Sequence, residues 1–155
     1  MPKQFVSSLD GAGLRVGIAV SRFNSVVTER LLEGALATLA RQGVPAGAIE
    51  VAHVPGAFEL PFAIDLYARS NRIDAIVALG AVVRGETPHF DMIAQWVVAE
   101  IGRLSLAHRR PVALGVLTTS TIEQALERAG GKHGNKGDDA ALAAIEMANL
   151  QRQFE

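Results

Sequence analysis

Four short apolar runs without period-two alternation, each followed by a stretch of helical period, constrain this chain more than any other feature. Residues 14–20 (LRVGIAV), 49–54 (IEVAHV), 75–83 (AIVALGAVV) and 112–117 (VALGVL) are the runs. Short runs of this kind suit strands covered on both faces, as in parallel sheets. Between them lie amphipathic segments. Val27, Leu31, Ala35 and Leu39, with Leu32 and Leu36, make one apolar stripe that Gly43 stops. Residues 57–61 open a second helix that ends near Asn71. A long third helix, about 89–108, is expected to bury Ile93, Trp96, Val97, Ile101 and Leu104. Ser120 and Glu123 have capping-box spacing before a fourth helix, 122–130. Asp138 and Asp139 start a last helix with Leu142, Ile145, Ala148 and Phe154 inward. Strand and helix alternating in this way predict an α/β fold. We expect a three-layer αβα sandwich with a flavodoxin-like four-stranded parallel sheet and right-handed crossovers.

No linker, repeat or low-complexity tract interrupts the pattern, so the 155 residues read as one domain, 1–155. Hydrophobic residues make up 49% and charged residues 20%, and the mean hydropathy of +0.22 points to extra surface buried between subunits. A net charge of −1 supplies no field to recruit nucleic acid or a membrane. With no cysteine, disulfides, thiolate catalysis and cysteine-bound zinc are excluded. The opening MPKQFVSSLDG carries no secretory apolar core, and no run has transmembrane length, so a cytoplasmic protein is expected. Gln4, Phe5 and Val6 have strand character but no adjacent partner. That strand needs a mate later in the chain or on another subunit.

The third run passes abruptly into Arg84, Gly85, Glu86, Thr87, Pro88 and His89. In parallel α/β sheets ligands bind just beyond the carboxyl ends of strands. This loop is either a ligand site or ordinary polar surface. His89 is the best acid–base candidate, and a water-facing histidine at a helix start is the alternative. Phe23 and Phe58 each follow a strand and begin a helix. They either sandwich a flat heterocycle or pack beneath loops. Glu59 reads first as a partner of the helix dipole. His53, His108 and His133 suit a strand, a helix end and a loop surface, and no metal spacing links the histidines. Arg128, Lys132 and Lys136 either hold an anion or are solvated cations. A glycine is missing where a P-loop needs one, no G-x-G-x-x-G follows a strand, and no serine sits in a G-x-S-x-G elbow. Two rings, an acid, an imidazole, a threonine and two or three cations suit a flat heterocycle beside a small phosphorylated partner.

Several strings agree on a resemblance: RFN (22–24), VPGAFELP (54–61), ALGAVVRGETPHFD (78–91), GVLTT (115–119), IEQALERAG (122–130), GNKG (134–137) and AIEMANL (144–150). In order and spacing, over nearly the whole chain, they resemble the 6,7-dimethyl-8-ribityllumazine synthases. The resemblance implies an enzyme of riboflavin biosynthesis, a transferase. It condenses 5-amino-6-(D-ribitylamino)uracil with 3,4-dihydroxy-2-butanone 4-phosphate, without cofactor or metal. It implies that Phe23 stacks on the pyrimidine and that Ala57, Phe58 and Glu59 line the ribityl and ring pocket. Ala81, Val82 and Val83 would offer backbone groups. Glu86 and Thr87 would lie by the phosphate, gripped by Thr87 and Arg128. His89 would move protons, and Lys136 and Asp139 would complete the polar wall. Leu114 stands where many members carry phenylalanine, and Glu86 where many carry a small or different polar residue. The resemblance also implies a homopentamer with the site shared between neighbours and residues 4–6 paired with a neighbour's sheet. The short GGKHGNKG linker implies an icosahedral shell of pentamers, with a free pentamer or decamer as alternative. A riboflavin synthase partner stays open. Rival readings are a lumazine or flavin carrier with little turnover, motivated by Leu114 and Glu86, and a structural shell protein.

Overall fold

The first apolar run folds as β1 (Val16–Ser21), buried along its whole length. β2 (Ile49–Val54), β3 (Ala75–Val83) and β4 (Val112–Thr119) join it in the computed structural model, which describes residues 1–155. The sheet is parallel, in the order β2-β1-β3-β4. The helices are α1 (Ser25–Arg41), α2 (Leu60–Arg69), α3 (His89–His108), the short α4 (Ile122–Glu127) and α5 (Lys136–Arg152). One core packs Val27, Leu31, Ala125, Ala141 and Ile145 of α1, α4 and α5 against Val16, Val77 and Leu79. The other packs Leu60, Ile64, Val97 and Ile101 of α2 and α3 against Ala19, Ile76 and Ala78. Alternate residues of β1 and β3 thus feed opposite cores, which is why those runs show no polar alternation. The expected three-layer αβα sandwich is the observed fold. None of its helices is long and apolar enough to cross a membrane.

The layer holding α1 and α5 is drawn tight by small residues. A β-carbon on Gly137 would collide with the Leu31 carbonyl, and one on Gly34 would collide with Asp138 and Asn135. Asn135 caps α5, its side-chain oxygen accepting from the Gly137 amide at 2.7 Å, while its Nδ2 donates to the Arg30 carbonyl at 3.1 Å. Before it, β5 (Ala129–Gly131) and β6 (Gly134–Asn135) form a small antiparallel hairpin, and Gly134 turns with φ +80°. The string GNKG is therefore a joint: a left-handed turn, a two-way cap, the first helical residue and a close approach.

Several expectations shift. The capping box is Thr121 with Gln124, one residue later than Ser120 and Glu123. Ser120 contributes only its backbone amide, which donates to Gln124 Oε1 at 2.9 Å. α4 stops at Glu127, because the chain turns there into β5. The last helix begins at Lys136, where Asn135 caps it, rather than at Asp138. Phe154 does not point inward: it is 68% exposed and stacks on Phe5 with centroids 4.2 Å apart. Trp96 is 40% exposed rather than buried, lying over Phe58 instead of under α3. Within the single chain residues 4–6 form no strand. They lie against α5, where Gln153 Nε2 donates to the Val6 carbonyl at 2.8 Å and Asn149 Nδ2 to the Ser8 carbonyl at 2.8 Å.

At the amino end of the sheet Arg15 donates to Asp74 from its backbone at 2.8 Å and from its guanidinium at 3.1 and 3.2 Å. Burial would push the Asp74 carboxyl up, and the Arg15 bonds outweigh it, holding the group below the usual carboxylate range. A carboxyl lowered in the folded state stabilises the fold above its unfolded value and ceases to do so as pH falls. We therefore expect wild-type stability to drop in acid, below about pH 4, and Asp74→Asn to flatten that part of the pH profile in urea titrations. Gly137→Ala, which drives a methyl into the α1 backbone, is expected to lower stability by about 1–3 kcal/mol, read as a fall in the urea midpoint.

Candidate active site

The site begins where β1 ends. Arg22 donates its amide to the Val54 carbonyl at 2.8 Å and Phe23 donates to the Pro55 carbonyl at 3.0 Å, tying the turn to the end of β2. Asn24 follows in the left-handed region, φ 63° and ψ 47°, and precedes α1 without capping it. Its Nδ2 donates instead to the Ala81 carbonyl at 2.9 Å. The Phe23 ring is left standing over the carboxyl end of the sheet, 71% exposed.

The end of β2 supplies the second wall. Pro55 and Gly56 lead into a 3-10 turn, Ala57–Glu59, just before α2. A β-carbon on Gly56 would stand 3.5 Å from Glu59 Oε2 and 3.9 Å from Phe23 Cβ, so the Glu59 carboxylate and the base of the Phe23 side chain flank this glycine. Phe58 stacks on Trp96 of α3 with centroids 4.7 Å apart and planes inclined by 26°. The third wall is the end of β3 and the loop after it. Arg84 lies over the Phe90 ring at 4.6 Å and pairs with Asp91 at 3.4 Å, so this cation folds back onto α3. Pro88 starts α3 and His89 is its first residue.

Phe23, Ala57, Phe58, Glu59, Ala81, Val82, Val83, Thr87 and His89 surround one cleft of about 440 Å³. That volume falls within the range of small-molecule sites, which are apolar with few directed polar groups. The chain thus brings both aromatic rings, the acid, the threonine and the imidazole into one place.

Arg128, Lys136 and Asp139 line a second groove of about 580 Å³, below the carboxyl end of β4, with Thr118, Thr119, Gln124 and His133. Arg128 caps α4, and its Nη1 donates to the Gln124 carbonyl at 2.9 Å. Glu127 stands 3.9 Å from both Arg128 and Lys132 and 3.6 Å from His133. Lys136 is placed by the Asn135 cap. Hydroxyls and cations around one groove suit a small anion.

Two predicted residues join neither group. Leu114 lines a third, apolar groove of about 510 Å³ between the ends of α3 and α5. Glu86 is exposed in the loop and does not line the cleft. Sequence reasoning missed Asn24, whose amide crosses to β3, Trp96 as the backing of Phe58, and His133 as part of the cationic groove. The string KHGNKG held the signal for His133. Nothing local marks Asn24, because an asparagine before a helix reads as a cap. No group of three or more His, Cys, Asp or Glu is placed to hold a metal ion.

A family model described as 6,7-dimethyl-8-ribityllumazine synthase matches residues 13–152. The chain is 52% identical over 155 residues to the 6,7-dimethyl-8-ribityllumazine synthase of Desulfatibacillum aliphaticivorans, covering 100% of both chains. That span includes the aromatic cleft and the cationic groove alike.

Trp96 is the single tryptophan and stacks on a ring that faces the cleft. We expect a planar pteridine entering the cleft to change its emission, and Phe58→Ala to reduce that change, both followed by fluorescence titration.

Proposed function

The chain belongs to the 6,7-dimethyl-8-ribityllumazine synthase family, and on that footing we propose that it joins 5-amino-6-(D-ribitylamino)uracil to 3,4-dihydroxy-2-butanone 4-phosphate. The products are 6,7-dimethyl-8-ribityllumazine, phosphate and water, in the penultimate step of riboflavin biosynthesis. The observation that carries this reading is the single cleft that gathers Phe23, Phe58, the end of β3 and His89.

In this reading the pyrimidine lies on Phe23 and meets the backbone of Ala81, Val82 and Val83. Ala57, Phe58 and Glu59 line the ribityl side, with Glu59 accepting from ribityl hydroxyls. Thr87 and Arg128 grip the phosphate, and Lys136 and Asp139 close the polar wall. The substrates carry their own reactivity. The 5-amino group attacks the ketone and water leaves as the imine forms. Phosphate departs next, its charge met by the Arg128 guanidinium. The ribitylamino nitrogen then closes the ring with loss of water. His89 carries protons in imine formation and elimination. Holding two reactants in register supplies most of the acceleration, a term that reaches several kcal/mol.

Because Arg128 and Lys136 line a groove separate from the His89 cleft, one protomer holds two half-sites. We place the cleft of one subunit against the groove of the next, in a homopentamer. Leu114 would come from that neighbour, and residues 4–6 would pair with its sheet. Phe62 and Leu66 on α2, with Trp96 on α3, leave apolar surface for such a neighbour. A cytoplasmic icosahedral shell of pentamers is the larger assembly proposed, with a free pentamer or decamer the alternative and a riboflavin synthase partner left open.

Lumazine absorbance tests the roles directly. Arg128→Ala is expected to lower kcat/KM by roughly 10–100-fold, the worth of a charged hydrogen bond. His89→Ala should cost roughly 10²-fold, the low end for acid–base catalysis, since nucleophile and leaving group are intrinsic. Co-assembling equal amounts of the two impaired variants should restore roughly a quarter of the activity, the share of interfaces that pair an intact cleft with an intact groove. Co-assembly with no recovery would contradict a shared site.

A further inference from the structure

Asn24 breaks a local rule. An asparagine at the start of a helix ordinarily turns its side-chain oxygen to the first free amides. Here the side chain makes no cap bond and the backbone sits at φ 63°. Local rules broken without local compensation mark functional positions.

The compensation lies across the sheet. The ladder between β1 and β3 ends at the pair Val20 and Leu79, while β3 continues to Val83. On its other side β3 stays paired with β4 as far as Val83 and Thr119. Ser21, the last residue of β1, still stands beside Gly80, and the β1-facing edge of Ala81–Val83 has no strand beside it. Asn24 Nδ2 occupies the first place on that edge, donating to the Ala81 carbonyl at 2.9 Å. Asn24 is itself half-buried and lines the cleft. One residue back, the Phe23 amide donates to the Pro55 carbonyl. The ring and the free end of β3 are thus fixed to each other through a single side-chain amide.

We propose that Asn24 is a positioning residue for the planar substrate, setting the Phe23 ring against the backbone edge of Ala81–Val83. The inference rests on the functional reading above. It predicts that losing the amide donor affects the aminouracil and not the phosphate partner, whose cations stand elsewhere.

The test uses Asn24→Asp and Asn24→Gly in the full chain. Aspartate keeps the shape and tolerates the left-handed backbone but, when ionised, cannot donate to a carbonyl. Glycine keeps the backbone and removes the side chain. In both variants KM for the aminouracil should rise by up to roughly tenfold, the ceiling reached if binding must restore all the order that one part-buried hydrogen bond had fixed. KM for the butanone phosphate should stay at the wild-type value, and Tm should fall by no more than the roughly 2–4 °C that one lost hydrogen bond costs a chain of this size. An unchanged aminouracil KM overturns the proposal, as does a loss confined to kcat. A rise in both KM values together with a larger fall in Tm also overturns it, since that is the mark of a general structural role. A wild-type protein that forms no lumazine overturns the functional reading, and this proposal with it.

Discussion

The overhang of β3 past β1 is the constraint on which the site depends. Its register pairs Leu79 with Val20, sets Gly80 beside Ser21 and then leaves Ala81–Val83 bordered on one side only. On the open side stand Phe23, Phe58 and His89 around the cleft. On the closed side β4 continues to Thr119 and forms the floor of the cationic groove. The same backbone is thus a wall between two chemical environments, one aromatic and one rich in cations. A parallel sheet ending flush would expose one continuous rim; this one divides it.

The layers were legible in the sequence because buried parallel strands and amphipathic helices leave different periods. Both cores, and the strands feeding them, lie where those periods place them. The misplaced details share one cause, that tertiary contact outbid the local signal. Ser120 and Glu123 have the spacing of a box, but the backbone puts Thr121 at the cap. Trp96 sits at a helical interval that suggests burial, yet Phe58 takes it up at the surface. Residues 4–6 have strand composition, but within one chain they lie along the end of α5, where the Gln153 side chain rather than a strand takes the Val6 carbonyl.

The site was legible in part. Phe23, Phe58 and His89 follow strand ends, and strand ends of a parallel sheet converge. That the cations gather elsewhere was not readable from spacing, since the β5–β6 hairpin that places Lys136 hangs on Asn135 and two close glycine contacts. The two residues that motivate a carrier reading stand apart from the cleft of their own chain, and Leu114 would act only from a neighbour in the proposed assembly. Glu86 stands outside the cleft and Leu114 lines a different groove, so in the single chain neither touches the groups that would bind the heterocycle.

Division of the rim bears on how such a protein would accelerate its reaction. A diamine and a phosphorylated ketone need little activation; they need to be held together, and that term is large. A lone protomer offers the heterocycle a walled cleft but keeps Arg128 and Lys136 in another groove. Under the proposed assembly, docking of subunits would fix that distance once, during folding and association, instead of at each turnover. Exposed rings such as Phe23 and Phe58, costly for a monomer in water, would then be covered on the side where the partner groove arrives. The surface that looks unfinished in the single chain would be the surface on which preorganisation rests.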